Sequence, residues 1–172
     1  MSKLFVDNIA SKTGGTNSTA LSIDVDNVLT KPQLPHFFLQ GTSNSNVDVG
    51  SDDRFGSTDD GQTAYSTIAG GASINRFTYN TATGQITVPV TGVYMIGGTF
   101  WKNEANQAVV ALQINGTNRV LEQSGNDDDS CRIQVSLKLN ANDLITFVNK
   151  TGAGRNFYEG ETYSYVYGHL IG

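Results

Sequence analysis

Alternation of apolar and polar positions dominates this chain. Between Cys131 and Leu139, the residues Ile133, Val135, Leu137 and Leu139 fall on one face, with Arg132, Gln134, Ser136 and Lys138 on the other. Successive strand side chains point to opposite sides, so this period of two predicts a half-buried strand. Gln107 to Asn115 repeats the pattern with Ala108, Val110, Leu112 and Ile114 inward. The Asn115-Gly116 pair that follows predicts a two-residue hairpin, because both residues tolerate positive φ. Asp143 to Val148 is apolar almost throughout, as expected of a strand covered on both faces. Phe37 to Gln40 reads as a short apolar strand, and the Ser-, Asn-, Asp- and Gly-rich stretch from Gly41 to Gly61 as a long loop or weak edge segment. Residues 76 to 96 read as strand, Gly turn, strand, a Pro89-to-Gly92 corner and strand again. Apolar runs with a 3.6-residue period are missing, so helix is expected to be scarce.

The last strand, from Tyr163 to Ile171, is unusual in having two apolar faces. Tyr163, Tyr165, Tyr167, His169 and Ile171 share one, and Val166, Gly168 and Leu170 the other. The core accounts for only one of them. Three aromatics and an Ile would leave a large apolar patch open on a monomer, whereas an interface between chains would bury the rings and use their hydroxyls.

Residues 1 to 34 have a different texture. Two short alternating pieces, Leu4 to Ile9 and Ala20 to Val25, flank a polar loop, and Leu21, Ile23 and Val25 share a face. Two isolated strands bury too little to be stable alone. This arm is expected to lie on its own domain, a neighbouring subunit or a larger assembly, with Leu4, Val6, Leu21, Ile23 and Val25 supplying the contacts for particle attachment. Lys31 to Pro35 reads as an extended linker, since Pro biases its preceding residue away from helical space. The domain expectation is therefore an arm over 1–34 and a head over 35–172.

Composition narrows the functional classes. A length of 172 residues fits one domain, and 19 Gly with abundant Asn, Thr and Ser suit short strands joined by polar turns. A net charge of −5 with 11 scattered basic residues argues against a nucleic-acid partner. Nothing approaches a membrane-spanning apolar run, and the start lacks the apolar core of a signal peptide, so folding in the cytoplasm is expected. The three Asn-x-Thr triplets, at Asn17, Asn115 and Asn149, then read as polar turn residues, and the lone Cys131 as a small half-buried side chain. With only two His and no metal-binding spacing, nucleophile elbow or P-loop, neither catalysis nor a cofactor is expected. His36 is expected to pack at a strand start and His169 in a strand or interface. The acidic pairs Asp52-Asp53 and Asp59-Asp60 and the run Asp127 to Asp129 suit solvated loops better than a calcium frame. Trp101 reads equally as core or exposed contact.

Several segments together resemble the globular heads of complement component one q and the related tumour-necrosis-factor jelly rolls. Tyr79 through Gly84, Pro89 and Gly92 to Tyr94 carries the resemblance first. Pro35-His-Phe-Phe-Leu39 stands where that family opens its first core strand. Leu137-Lys-Leu-Asn-Ala-Asn-Asp-Leu144 is similar to its Leu-x-Leu-x-x-Gly-Asp-x-Val segment, and Tyr167-Gly-His-Leu-Ile171 to its closing strand. The sequence departs at Asn142, where the pattern has Gly, at Ile96, where it has an aromatic, and at His169, where it has Phe. It also lacks the collagen-like stalk of the complement proteins. The resemblance implies an all-β jelly-roll sandwich, a homotrimer and a non-catalytic display role.

The arm carries a separate resemblance. Lys3-Leu-Phe-Val-Asp-Asn-Ile-Ala-Ser-Lys-Thr-Gly-Gly14, followed by Ala20-Leu-Ser-Ile23, looks like the opening of short structural proteins from tailed phages, particularly marine ones. That resemblance implies a virion-surface protein whose arm docks on capsid or tail proteins. Without a shaft repeat or coiled coil, a capsid decoration or head fibre is expected before a tail fibre. The alternative is a short fibre tip recognising host surface glycans; a polysaccharide depolymerase is a third class.

Overall fold

The computed structural model describes residues 8–10, 19–23, 29–30, 34–42, 46–67, 72–126, 130–158, 160 and 163–172. The chain divides into two compact units, Met1–Leu34 and Pro35–Gly172. In the first unit, β1 (Asn8–Ala10), β2 (Thr19–Ile23) and β3 (Leu29–Thr30) form an antiparallel sheet with β2 central. Ile9 stands opposite Leu21, and Ile23 opposite Leu29, so the register aligns apolar positions in neighbouring strands. The third strand was not legible, because two residues give no alternation to read. Leu4, Val6 and Val25 lie outside the described residues, as do residues 31–33 of the extended linker.

The second unit is a jelly-roll sandwich, all β among its described residues. Its strands are β4 (His36–Gln40), β5 (Asn46–Val49), β6 (Ser73–Asn75), β7 (Thr78–Asn80), β8 (Gln85–Thr87), β9 (Gly92–Lys102), β10 (Val109–Ile114), β11 (Thr117–Gln123), β12 (Ser130–Leu139), β13 (Leu144–Asn149), β14 (Arg155–Tyr158) and β15 (Tyr165–Leu170). One sheet runs β11-β10-β13-β8-β7. The other runs β5-β14-β9-β15-β4-β6, with β12 on the far side of β9. Between the sheets, aromatic contacts, two edge-to-face (Phe37–Phe77 and Phe55–Phe157) and two tilted, link the layers. Phe37 meets Phe77 at 4.8 Å, Phe55 meets Phe100 at 4.4 Å and Phe157 at 4.9 Å, and Phe100 meets Phe147 at 5.3 Å. Each such ring contributes roughly 1.5–3 kcal/mol by burial alone.

Local sequence sets the turns. Asn115 and Gly116 adopt φ of 52° and 75°, closing the β10–β11 hairpin with Ile114 opposite Thr117. Asn142, which replaces a Gly of the resembled pattern, has φ of 71°. Asn tolerates this left-handed region better than most residues with a Cβ, so it can take the place of Gly in this turn. Its neighbour Asp143 ties the turn down, accepting from Asn140 N and Asn115 Nδ2, each at 2.8 Å.

The segment from Gly41 to Gly61, expected as a long loop or weak edge segment, forms both an edge strand and an ordered loop over residues 46–61. It supplies the edge strand β5, and then residues 52–55 line the upper half of β13. Asp52 N donates to Asn149 O at 2.8 Å, and Phe55 N to Phe147 O at 2.9 Å. β8 reaches only Leu144 and Ile145, so this segment completes the edge pairing. Within the acidic pairs Asp52 and Asp59 are exposed, as expected of solvated loops, while Asp53 and Asp60 are half-buried. Asp60 accepts from Arg54 Nε at 2.7 Å and Nη2 at 3.0 Å, Asp53 caps Gly50 N at 2.8 Å, and Asp52 pairs with Lys150. Asn149 is fully buried rather than a surface turn residue. Its Nδ2 donates to Val49 O, Gly50 O and Ala153 O, while its Oδ1 accepts from Thr151 Oγ1. Cys131 is likewise wholly buried rather than half-buried, and that burial raises its thiol pKa.

A charged side chain also enters the core. Lys102 is buried, with Nζ donating to Asn106 O at 2.5 Å, Gly125 O at 2.9 Å and Ser124 Oγ at 3.3 Å. The ammonium thus uses its three protons on two loops, one after β9 and one after β11.

Candidate functional site: an aromatic sheet face

β15 lies between β9 and β4, in the middle of its sheet. Its period of two sends Val166, which is 1% exposed, into the core and turns Tyr165 and Tyr167 outward. The antiparallel register extends this outer face sideways. Tyr165 stands between Thr99 and Gln40, Tyr167 between Gly97 and Phe38, and His169 between Met95 and His36. Phe38 packs on Tyr165 at 5.6 Å, and Tyr165 on Tyr167 at 6.4 Å. Gly97 is required here, because a Cβ would meet the Tyr167 ring at 2.5 Å. The ring therefore lies flat over the β9 backbone. Its partial burial, with a smaller contribution from Tyr165 beside it, raises the Tyr167 phenol above its ordinary pKa.

The row continues beyond the start of β15. Tyr163, 39% exposed, packs edge-on against Tyr158 at 4.5 Å and Trp101 at 5.5 Å. Tyr158 and Trp101 stand opposite one another in the β14–β9 ladder. Six aromatic side chains, five from strands β4, β9, β14 and β15 and one from the turn before β15, thus line one side of this sheet: Phe38, Trp101, Tyr158, Tyr163, Tyr165 and Tyr167. His169 is exposed on the same face, and Ile171, 49% exposed, follows the strand at its end. Polar side chains of β12 border the row, with Gln134 opposite Gly97 and Arg132 opposite Thr99.

Every sequence-predicted residue of this face is present in the described structure, and the geometry adds Phe38, Tyr158 and Trp101. Counting by twos from the buried Tyr94, Ile96 and Phe100 would have placed Trp101 outward. Phe38 was hidden by its apolar neighbours Phe37 and Leu39, which mask the alternation. His36, expected to pack, is exposed at the start of β4, opposite His169. Of the arm residues, Leu21 and Ile23 occupy the central strand of the small sheet.

Among the described residues, no group of three or more His, Cys, Asp or Glu side chains could hold a metal ion. Asp127 to Asp129 fall outside the described residues. No described helix is long and apolar enough to cross a membrane.

No protein-family model matches the sequence, and no curated protein is significantly similar to it. Solved structures do match. One is the Eiger TNF from S. frugiperda, which aligns over 81% of this chain and 94% of its own, with a TM-score of 0.67 and 17% identity. At that identity the likeness establishes the fold, a tumour-necrosis-factor-like jelly roll, which is compatible with a trimeric, non-enzymatic protein.

Proposed function

We propose that this chain is a non-enzymatic structural protein of a tailed-phage virion, a trimeric capsid decoration or head-fibre protein held to the particle by residues 1–34. The observation that carries the trimer is the aromatic face. A sheet that has already buried one side in its own core presents six rings on the other, including Tyr163 at 39% exposure. Patches of this kind are covered by partners, and Tyr contributes apolar area while keeping a hydroxyl for hydrogen bonding. Copies arranged about a three-fold axis would bury it in a closed assembly. Tyr163, Tyr165, Tyr167, His169 and Ile171 are the contacts assigned to that interface.

The phage assignment rests on the arm's sequence resemblance, and attachment on its build. A three-stranded sheet with strands of 3, 5 and 2 residues is small for independent stability. Such a segment gains by docking, with Leu4, Val6, Leu21, Ile23 and Val25 as its assigned contacts and strand addition as its mode. The protein would fold in the host cytoplasm and reside on the virion surface. Light scattering on the full chain should report three copies per particle in solution; a monomer at micromolar concentration sinks the trimer. A chain beginning at Pro35 should retain the sandwich yet fail to decorate virions lacking the native protein. Normal decoration by that chain would overturn the attachment role.

A second reading, a short fibre tip that engages host surface glycans, draws on Lys102. Its ammonium ties together the two loops that follow β9 and β11, as a preorganised recognition surface would require. Electron microscopy locating the protein on the capsid or on the tail separates the two readings.

A further inference from the structure

β4, β15 and β9 set three metal-ligating residues in one row across the sheet, beyond Tyr167 at the end of the aromatic face. His169 on β15 stands opposite His36 on β4 and opposite Met95 on β9. The two His are the only ones in the chain. All three residues share the outer face, because their strand neighbours Phe37, Gly168, Tyr94 and Ile96 are buried. His36 and His169 are exposed, and Met95 is half-buried.

The register makes the His pair a close one. Leu170 N donates to Pro35 O at 3.0 Å, each one position beyond its His. That bond flanks the pair rather than joining it. His36 and His169 are therefore a non-hydrogen-bonded pair, the closer kind, with Cβ atoms about 4.5–5.5 Å apart. Exposed side chains exchange rotamers rapidly, so both rings can turn onto one ion. On the other flank, Met95 Sδ accepts from Gln134 Nε2 at 3.5 Å, which sets the thioether on this face. Sulfur is a weak acceptor and the Met side chain has three rotatable bonds, so that contact yields to a stronger partner.

The chemistry of the row selects among ions. Two imidazoles and a thioether are neutral ligands. The residues that continue the row, Asn75 opposite His36 and Ser136 opposite Met95, bring no carboxylate. Hard divalent ions, which favour carboxylate oxygens, find none there. Lys138, opposite Val93, adds a positive charge diagonally across from Met95. A thioether favours soft ions, and a monovalent one is repelled least by that charge. The geometry points to a copper(I) site in which His36 and His169 supply nitrogen and Met95 supplies sulfur. All three ligands come from one chain, so the site requires neither the trimer nor the particle assignment. In a trimer, each protomer would carry its own ion at the end of its row.

Anaerobic titration of the full-length protein with copper(I), kept reduced by ascorbate and followed by calorimetry and NMR, tests the site. One ion per chain is expected, with Kd below ~10 μM and with shifts of both imidazole rings and the Met95 methyl. His36→Asn and His169→Asn should each weaken copper(I) binding at least about tenfold, the effect of one lost ligand. Both side chains are exposed, so melting temperatures should stay unchanged. Met95→Leu, which nearly conserves volume, should weaken copper(I) binding about tenfold and leave zinc binding unaltered. Zinc should bind the native chain at least about tenfold more weakly than copper(I). No saturable copper(I) binding below ~10 μM would overturn the proposal. So would zinc binding as tightly as copper(I), or a Met95→Leu chain that binds copper(I) as the native one does. Undiminished affinity in the His36→Asn/His169→Asn double variant would place the ion elsewhere, such as on Cys131, and overturn it too.

Discussion

β13 and β15 are both central strands with apolar or aromatic residues on both faces, yet the molecule treats them differently. From Ile145 to Asn149 every residue of β13 is buried, and residues 52–55 complete its edge pairing. In β15 the burial alternates: Val166 and Gly168 are enclosed, Tyr165 and Tyr167 are half-buried, and His169 is exposed. The same signal in sequence, a strand with two apolar faces, therefore has two resolutions. One chain can cover both faces itself, or it can cover one and offer the other. The aromatic character of the offered face marks the difference, since Tyr tolerates exposure before assembly where Val and Phe do not.

Substitutions on the two strands should separate these cases. Phe147→Ala should cost the head about 3–5 kcal/mol, as expected for a ring packed on Phe100, and thermal unfolding should show it at any protein concentration. Tyr165→Ala should weaken the proposed trimer by about 2 kcal/mol or more, seen as a shift in the concentration dependence of mass. The isolated protomer should lose much less. Equal losses at all concentrations would mean that this face serves only its own sheet. Asn142→Ala, in the turn that leads into β13, should cost about 1 kcal/mol because Ala is strained at positive φ. Asn142→Gly should be nearly neutral.

The smallest effect concerns the ion pair beside β13, where Arg54 stands opposite Val148. Hydrogen bonding from Arg54, opposed in part by burial, holds the Asp60 carboxyl below its ordinary pKa. The contribution of the pair is complete above the unfolded value, about 3.9, and fades as pH falls through the lower folded value. Solvent screening keeps it to about 1 kcal/mol or less. Asp60→Asn should thus lower the melting temperature slightly at neutral pH and leave it unchanged in strong acid. Equal destabilisation at both pH values would show that the side chain acts through packing.

Much of this was legible in the sequence because it depended on local periodicity. The alternation in β10, β12 and β15 fixed their faces, and Asn115-Gly116 fixed the hairpin. β14 was missed because Phe157 is its only fully buried side chain, too little to form a pattern. Lys102 sits at the parity of Phe100, an interior position, but a charged residue there is ordinarily read as solvated. Only the convergence of two distant loops on its ammonium explains it. The aromatic row was half legible: β15 displayed its share, whereas Phe38, Tyr158 and Trp101 joined it through register.

Lys102 also bears on the timing of motion. Its ammonium cannot leave one loop's carbonyl without forfeiting the others' geometry, and a bare charge in that interior is costly. The loops after β9 and β11 are therefore expected to open together, as one cooperative unit, rather than fray independently. Correlated amide exchange of Ala108 and Ser124, whose backbone and side chain are already joined across these loops, would be the signature. A surface that opens only as a whole spends its closed lifetime in one shape, so whatever meets that end of the molecule meets a single template.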